Sequence, residues 1–77
     1  MKRIQILGTG CPKCKLLMAN TAEAVRALGI DATVEKVEKI ADIMKFNVML
    51  TPALVVDGQV KSAGKALGVD EIRKLLE

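Results

Sequence analysis

Cys11-Pro12-Lys13-Cys14 is the segment of this chain whose residue types and spacing can do chemistry. The motif follows a short apolar run and opens a helical pattern, so both thiols fall at a helix N-terminus. There the first N–H groups have no partner within the helix, and the macrodipole leaves a partial positive charge. A thiolate at Cys11 is favoured by both, which lowers its pKa below that of a free thiol. Lys13 and Lys15 add to this. An ammonium about 6 Å away in near-water dielectric is worth roughly 0.7 kcal/mol before screening, less than the helix terminus supplies. Positions i and i+3 on a helix have Cβ atoms about 5–6 Å apart, and a disulfide wants about 3.5–4.5 Å. A slight tightening of one turn closes the bridge, so the dithiol and disulfide forms can share a backbone.

This pattern assigns roles. Cys11 is the nucleophile that attacks a disulfide, and Cys14, further into the helix and more buried, is the thiol that resolves the mixed disulfide. Pro12 and Lys13 modulate the pair, Pro12 by setting the helix start and Lys13 by its charge. The rival chemistry is soft-metal binding. Cu(I) or Zn(II) takes C-x-x-C readily, yet a closed zinc site uses four Cys or His ligands, and this chain has two Cys and no His. Two inert buried cysteines are the third reading. Gly8-Thr9-Gly10 and Pro12 place the motif at a surface loop, which favours a working site.

The elements that must position this motif follow from patterning. Lys2 to Leu7 alternates Ile4 and Ile6 with Arg3 and Gln5, as a strand does. Pro12 suits the first position of a helix. Leu17, Thr21, Ala24, Val25 and Leu28 then recur at three and four residues, with Asn20, Glu23 and Ala27 on the opposite face. Gly29 is the expected C-cap of a helix over 12–28. A second strand spans 31–37 and a second helix 38–46, with Ile40, Ile43 and Met44 as its apolar positions. Pro52 bars a regular central strand before it. Ala53 to Val56, Asp57-Gly58 and Gln59-Val60 read as a two-residue hairpin, because that turn needs positive φ. Val69, Ile72, Leu75 and Leu76 give a closing helix, with Gly68 as its N-cap and Asp70 and Glu71 in its first turn.

The order is strand, helix, strand, helix, strand, strand, helix. The first two strands are expected to be parallel with a right-handed crossover, and the last two form the hairpin. The expected fold is a single α/β domain over 1–77: a four-stranded mixed sheet with helices on both faces, burying Ile4, Ile6, Leu54 and Val56. Phe46, Met49 and Leu50 are expected in the core, Leu16 near Cys14 on an otherwise polar face, and Lys61 and Lys65 in solvent.

Composition narrows the function. Apolar residues make up 51% of the 77, too many for a disordered chain. The longest uncharged run, 46–56, is far short of the roughly 20 apolar residues of a membrane span. Ile4 to Leu7 is too short for a signal-peptide core of about 7–15 residues. Twelve basic against nine acidic side chains leave a charge of +3, but the two are interleaved, and Phe46 is the lone aromatic. No stacking platform for single-stranded nucleic acid can be built from that. Secreted disulfide scaffolds carry four, six or eight cysteines. Two close together imply chemistry in a reducing compartment, hence a cytoplasmic protein.

Gly10-Cys11-Pro12-Lys13-Cys14 after a first strand, with Thr51-Pro52 before a hairpin, resembles the thioredoxin/glutaredoxin superfamily. Most closely it is similar to the small thioredoxin-like redox-active disulfide proteins of archaea and anaerobic bacteria, and the likeness spans essentially the whole chain. The resemblance implies a minimal thioredoxin fold and a thiol–disulfide oxidoreductase active in electron transport. It implies a cis Pro52 against the cysteine pair and a Thr51 whose backbone meets an extended stretch of substrate. It also implies a thioredoxin-reductase-like electron donor, disulfide-containing client proteins, a monomer and no bound cofactor. Lys13 stands where glutaredoxins carry tyrosine, and Gln5 where thioredoxins hold a buried aspartate. The soft-metal carriers that share C-x-x-C, the small copper chaperones, finish on a strand, whereas this chain is expected to finish on a helix.

Overall fold

Isoleucine, leucine and valine fill the strand segments, and they bury on both sides of a sheet. The computed structural model describes residues 2–77. Its elements are β1 (Lys2–Leu7), α1 (Pro12–Leu28), β2 (Ala32–Val37), α2 (Ile40–Met44), β3 (Ala53–Val56), β4 (Gln59–Ala63) and α3 (Val69–Leu76). The sheet order is β2-β1-β3-β4. β1 and β2 are parallel, from Lys2 opposite Ala32 to Leu7 opposite Val37. β3 runs antiparallel to β1, with Ile4 opposite Val56 and Ile6 opposite Leu54. This is the mixed four-stranded sheet expected from the sequence, with β1 at its centre.

Side-chain alternation divides the core in two. Ile4, Ile6, Leu54 and Val56 face α1 and α3 and pack with Leu17, Ala24, Leu67, Ile72 and Leu76. Leu7, Ala53 and Val55 point the other way and pack with Ile43 of α2, joined by Val37, Phe46 and Val48. Full burial of one such aliphatic side chain is worth about 1.5–3 kcal/mol. Helices therefore cover both faces.

α1 begins with Pro12 in its first turn and ends at Gly29, whose φ of 64° lets its N–H reach the carbonyls of Val25 and Arg26. Asp57 and Gly58 take the positive φ values, 50° and 83°, that the tight hairpin requires. The Asp57 carboxylate also accepts the Arg3 N–H at 2.9 Å, which pins the hairpin to β1.

Several expectations are corrected. β2 starts at Ala32 rather than Asp31, and β4 continues to Ala63 through a bulge. Leu54 sits opposite Ser62 but Val55 opposite Val60, so Lys61 has no partner. α2 occupies only Ile40–Met44. After it the N–H groups of Lys45, Phe46 and Asn47 bond three residues back, and Asn47 at φ 58° ends the turn. So short a helix presents one side chain to the sheet: Ile43 is buried, while Ile40 and Met44 are exposed. Met49 and Leu50 are not core. They are 95% and 63% exposed, because Val48 already fills the packing position and the chain then swings outward before Pro52 returns it. Leu50 rests over Gly64 instead. Asn20 is half-buried rather than solvated, and its amide donates to the Leu67 carbonyl at 2.9 Å. Among the described residues no helix is long and apolar enough to cross a membrane.

Candidate active site

Cys11 is the N-cap of α1, with extended backbone at φ −68° and ψ 164°. Its sulfur accepts the backbone N–H of Cys14 at 3.3 Å, so the thiol takes the place that a serine or aspartate oxygen usually holds. One turn on, Cys14 is buried, at 6% exposure. The two sulfurs stand 2.7 Å apart as free thiols. Being outside the helix proper, Cys11 can fold its side chain back over the first turn, which is the tightening that the i, i+3 spacing called for.

The pair is electrostatically unequal. Cys11 is lowered from the ordinary thiol range, chiefly by the hydrogen bond from the Cys14 thiol and next by the Cys14 backbone N–H. Cys14 is raised, first by burial and then by its bond to Cys11. Charge therefore collects on Cys11, with the Cys14 S–H donating to it. The helix terminus contributes as expected, but the neighbouring thiol contributes more. Lys13 is exposed, as is Pro12.

Thr51-Pro52 reaches the same place from the other end of the chain. The peptide between them is cis. Pro52 is buried just before β3, its carbonyl accepting the Gly64 N–H at 2.8 Å, while Thr51 is exposed. Gly8 lies between this proline and the cysteines: a Cβ on Gly8 would overlap the Cys14 sulfur and stand 3.9 Å from the Pro52 Cα. Cys11 to Cys14 and Thr51-Pro52 are thus gathered at one end of the sheet, around the end of β1.

Sequence reasoning missed Gly8, Met18, Lys36 and Glu38 as neighbours of the pair. Together with Ile6, Gly10 and Lys15 they line a cleft of about 100 Å³ beside Cys14. The parallel register, Leu7 opposite Val37, brings Glu38 to the same end of the sheet as the 8–10 loop. Parallel pairing read to that precision could have found it. Nothing in the sequence separates Gly8 from Gly10. Gln5 is on the opposite face of β1 from Ile6 and does not line this cleft.

A thioredoxin-like redox protein is the class that such a fold defines when it carries paired thiols at this helix tip. Comparison with known proteins agrees. The family model for the thioredoxin domain matches residues 2–77, and the chain belongs to that family. It is 43% identical over 76 residues to a thioredoxin of Methanothermobacter thermautotrophicus, covering 99% of both chains. It is 40% identical over 74 residues to a thioredoxin of Methanocaldococcus jannaschii, covering 96% of this chain and 85% of the other. The soft-metal carrier reading gains no support. The chain closes on α3 rather than on a strand, and no group of three or more Cys, His, Asp or Glu among the described residues is arranged to hold an ion.

Proposed function

We propose that this protein is a thiol–disulfide oxidoreductase that exchanges electrons with protein disulfides through Cys11 and Cys14. The observation that carries the reading is the unequal pair: a Cys11 sulfur at the helix N-cap, 2.7 Å from the sulfur of a buried Cys14. The Cys11 thiolate attacks one sulfur of a client disulfide. A Cys11–client bond forms, the client S–S bond breaks, and the departing client thiolate takes a proton from water. Cys14 then loses its proton and attacks the Cys11 sulfur. The Cys11–Cys14 bond forms and the second client thiolate leaves. Two electrons have passed to the client. A thioredoxin-reductase-like donor returns them, so no bound cofactor is required.

Thr51 and Pro52 form the substrate-binding element in this reading. Exposed Thr51 offers its backbone to an extended client segment beside the thiols. Pro12 and Lys13 tune the pair through the helix start and local charge. The protein acts as a single-domain monomer in the cytoplasm, within an electron-transport chain of thiols. The thioredoxin name of both archaeal relatives supports the thiol–disulfide reading.

The test is to trap clients. Cys14→Ser should arrest a mixed disulfide on Cys11 that survives non-reducing electrophoresis and disappears with dithiothreitol. The unaltered protein should speed insulin reduction by dithiothreitol. Trapping by Cys11→Ser of equal yield would reverse the two roles, and an inert wild-type protein would end the proposal.

A further inference from the structure

Gly8 follows the last residue of β1, yet it is still held by the sheet, its N–H donating to the Val37 carbonyl at 3.0 Å. It is buried, and it cannot shift without disturbing the β1–β2 edge. A Cβ on Gly8 would overlap the Cys14 sulfur and come within 3.2 Å of the Cys14 Cβ. The backbone of Gly8 lies outside the left-handed region. Alanine could therefore adopt its conformation without strain, and the glycine is required for space alone. The atom that uses the space is the sulfur that must face Cys11.

We infer that Gly8 is a positioning residue for the resolving thiol: its bare Cα is the seat of the Cys14 sulfur and keeps that sulfur against Cys11. Cysteine has a single side-chain torsion between its backbone and its sulfur, and the Cys14 backbone is committed to α1. A sulfur pushed off the seat has to change rotamer and leaves the Cys11 sulfur. The hydrogen bond between the thiols is then lost, and with it the charge bias toward Cys11. The consequence for turnover rests on the exchange mechanism proposed above. The seat itself does not.

A double-mutant cycle tests this. The Cys11 thiolate is titrated by its alkylation rate against pH, with the site of modification read by mass spectrometry. The four proteins are wild type, Gly8→Ala, Cys14→Ala and the double variant. The charged groups around the pair, Lys13, Lys15, Lys36 and Glu38, are the same in all four. Gly8→Ala should raise the Cys11 midpoint toward that of Cys14→Ala, and should add nothing once Cys14 is alanine. An unchanged midpoint in Gly8→Ala overturns the inference, and so does an equal shift with and without Cys14. Should Gly8→Ala fail to fold, the double variant should fold, because its new methyl group occupies the volume the sulfur vacated. Failure of both would make Gly8 a backbone requirement and sink the inference.

Reaction with 5,5′-dithiobis(2-nitrobenzoate) supplies the functional arm. Attack by Cys11 releases one coloured thiolate, and closure by Cys14 releases the second. Gly8→Ala should slow the second release by roughly tenfold or more, since a misplaced reacting atom forfeits proximity. Equal rates in wild type and variant would overturn the role in turnover. A wild-type protein that never releases the second thiolate would refute the exchange mechanism, and the titration cycle would still decide the seat.

Discussion

At the scale of single residues the active pair divides its labour through one hydrogen bond. The two sulfurs stand 2.7 Å apart; with the charge resting on Cys11, the Cys14 thiol is the donor, which lowers the pKa of Cys11, while burial raises that of Cys14. The sign fixes a pH profile. A thiol reacts as its thiolate, so alkylation of Cys11 should rise with pH and reach its plateau below the range where a free cysteine does. Cys14 should remain unmodified through that window and react only at higher pH. Removing the donor with Cys14→Ala should move the Cys11 plateau upward, because the largest of the lowering causes is gone. Alkylation followed by peptide mass spectrometry reads both thiols at once. A Cys11 profile that stays in place in Cys14→Ala would assign the lowering to the helix terminus instead.

Among the elements, α1 has two duties: it carries both cysteines at its tip and it holds the core through Leu17, Thr21 and Ala24. Thr21 is fully buried, and its hydroxyl donates to the Leu17 carbonyl at 2.7 Å, so a polar side chain sits on an apolar stripe without an unpaired group. Asn20 ties α1 to the segment before α3 by its bond to Leu67. Asn20→Ala should cost about 1 kcal/mol, the net value of one such bond, read as a lower urea midpoint. Leu67 packs in the same core as Ile72, so the loss should also loosen the α1–α3 packing. Amide exchange should quicken over 64–68 and leave β1 protected. Uniform quickening across the sheet would show that Asn20 supports the whole fold rather than this connection.

For the molecule as a whole, stability comes from burial. The ion pairs among the described residues, Arg3–Glu35, Arg26–Glu23, Lys45–Asp42 and Arg73–Asp70, all lie between exposed side chains, where such pairs are worth about 0–1 kcal/mol. The core by contrast is small and tightly shared. Ile72, fully buried, joins α3 to the sheet face that α1 covers. Ile72→Ala should cost about 2–5 kcal/mol, a large part of the roughly 4–12 kcal/mol expected of a chain this size. Urea denaturation should show it, with the thiol reactions unchanged at low temperature because neither cysteine belongs to that core cluster. A loss under about 1 kcal/mol would mean that the core can collapse into the vacancy.

Local signals were enough for much of this protein. Helix α1 was legible from Pro12, an apolar stripe and Gly29, and the hairpin from Asp57-Gly58, because caps and tight turns are set by a few adjacent residues. The unequal placement of the cysteines was legible too, Cys11 at the helix tip and Cys14 buried one turn on, since the start of a helix fixes both positions. What the chain could not disclose locally was the fate of Ile40, Met44, Met49 and Leu50. Their hydrophobicity does not say whether the sheet has room for them, and only packing against β1 and β3 left them outside. The same holds for Gly8, Lys36 and Glu38. Their nearness to Cys14 arises from strand register and from the approach of a helix to a strand end. Covalent spacing governs short-range geometry, whereas those contacts join residues brought together by the closure of the sheet.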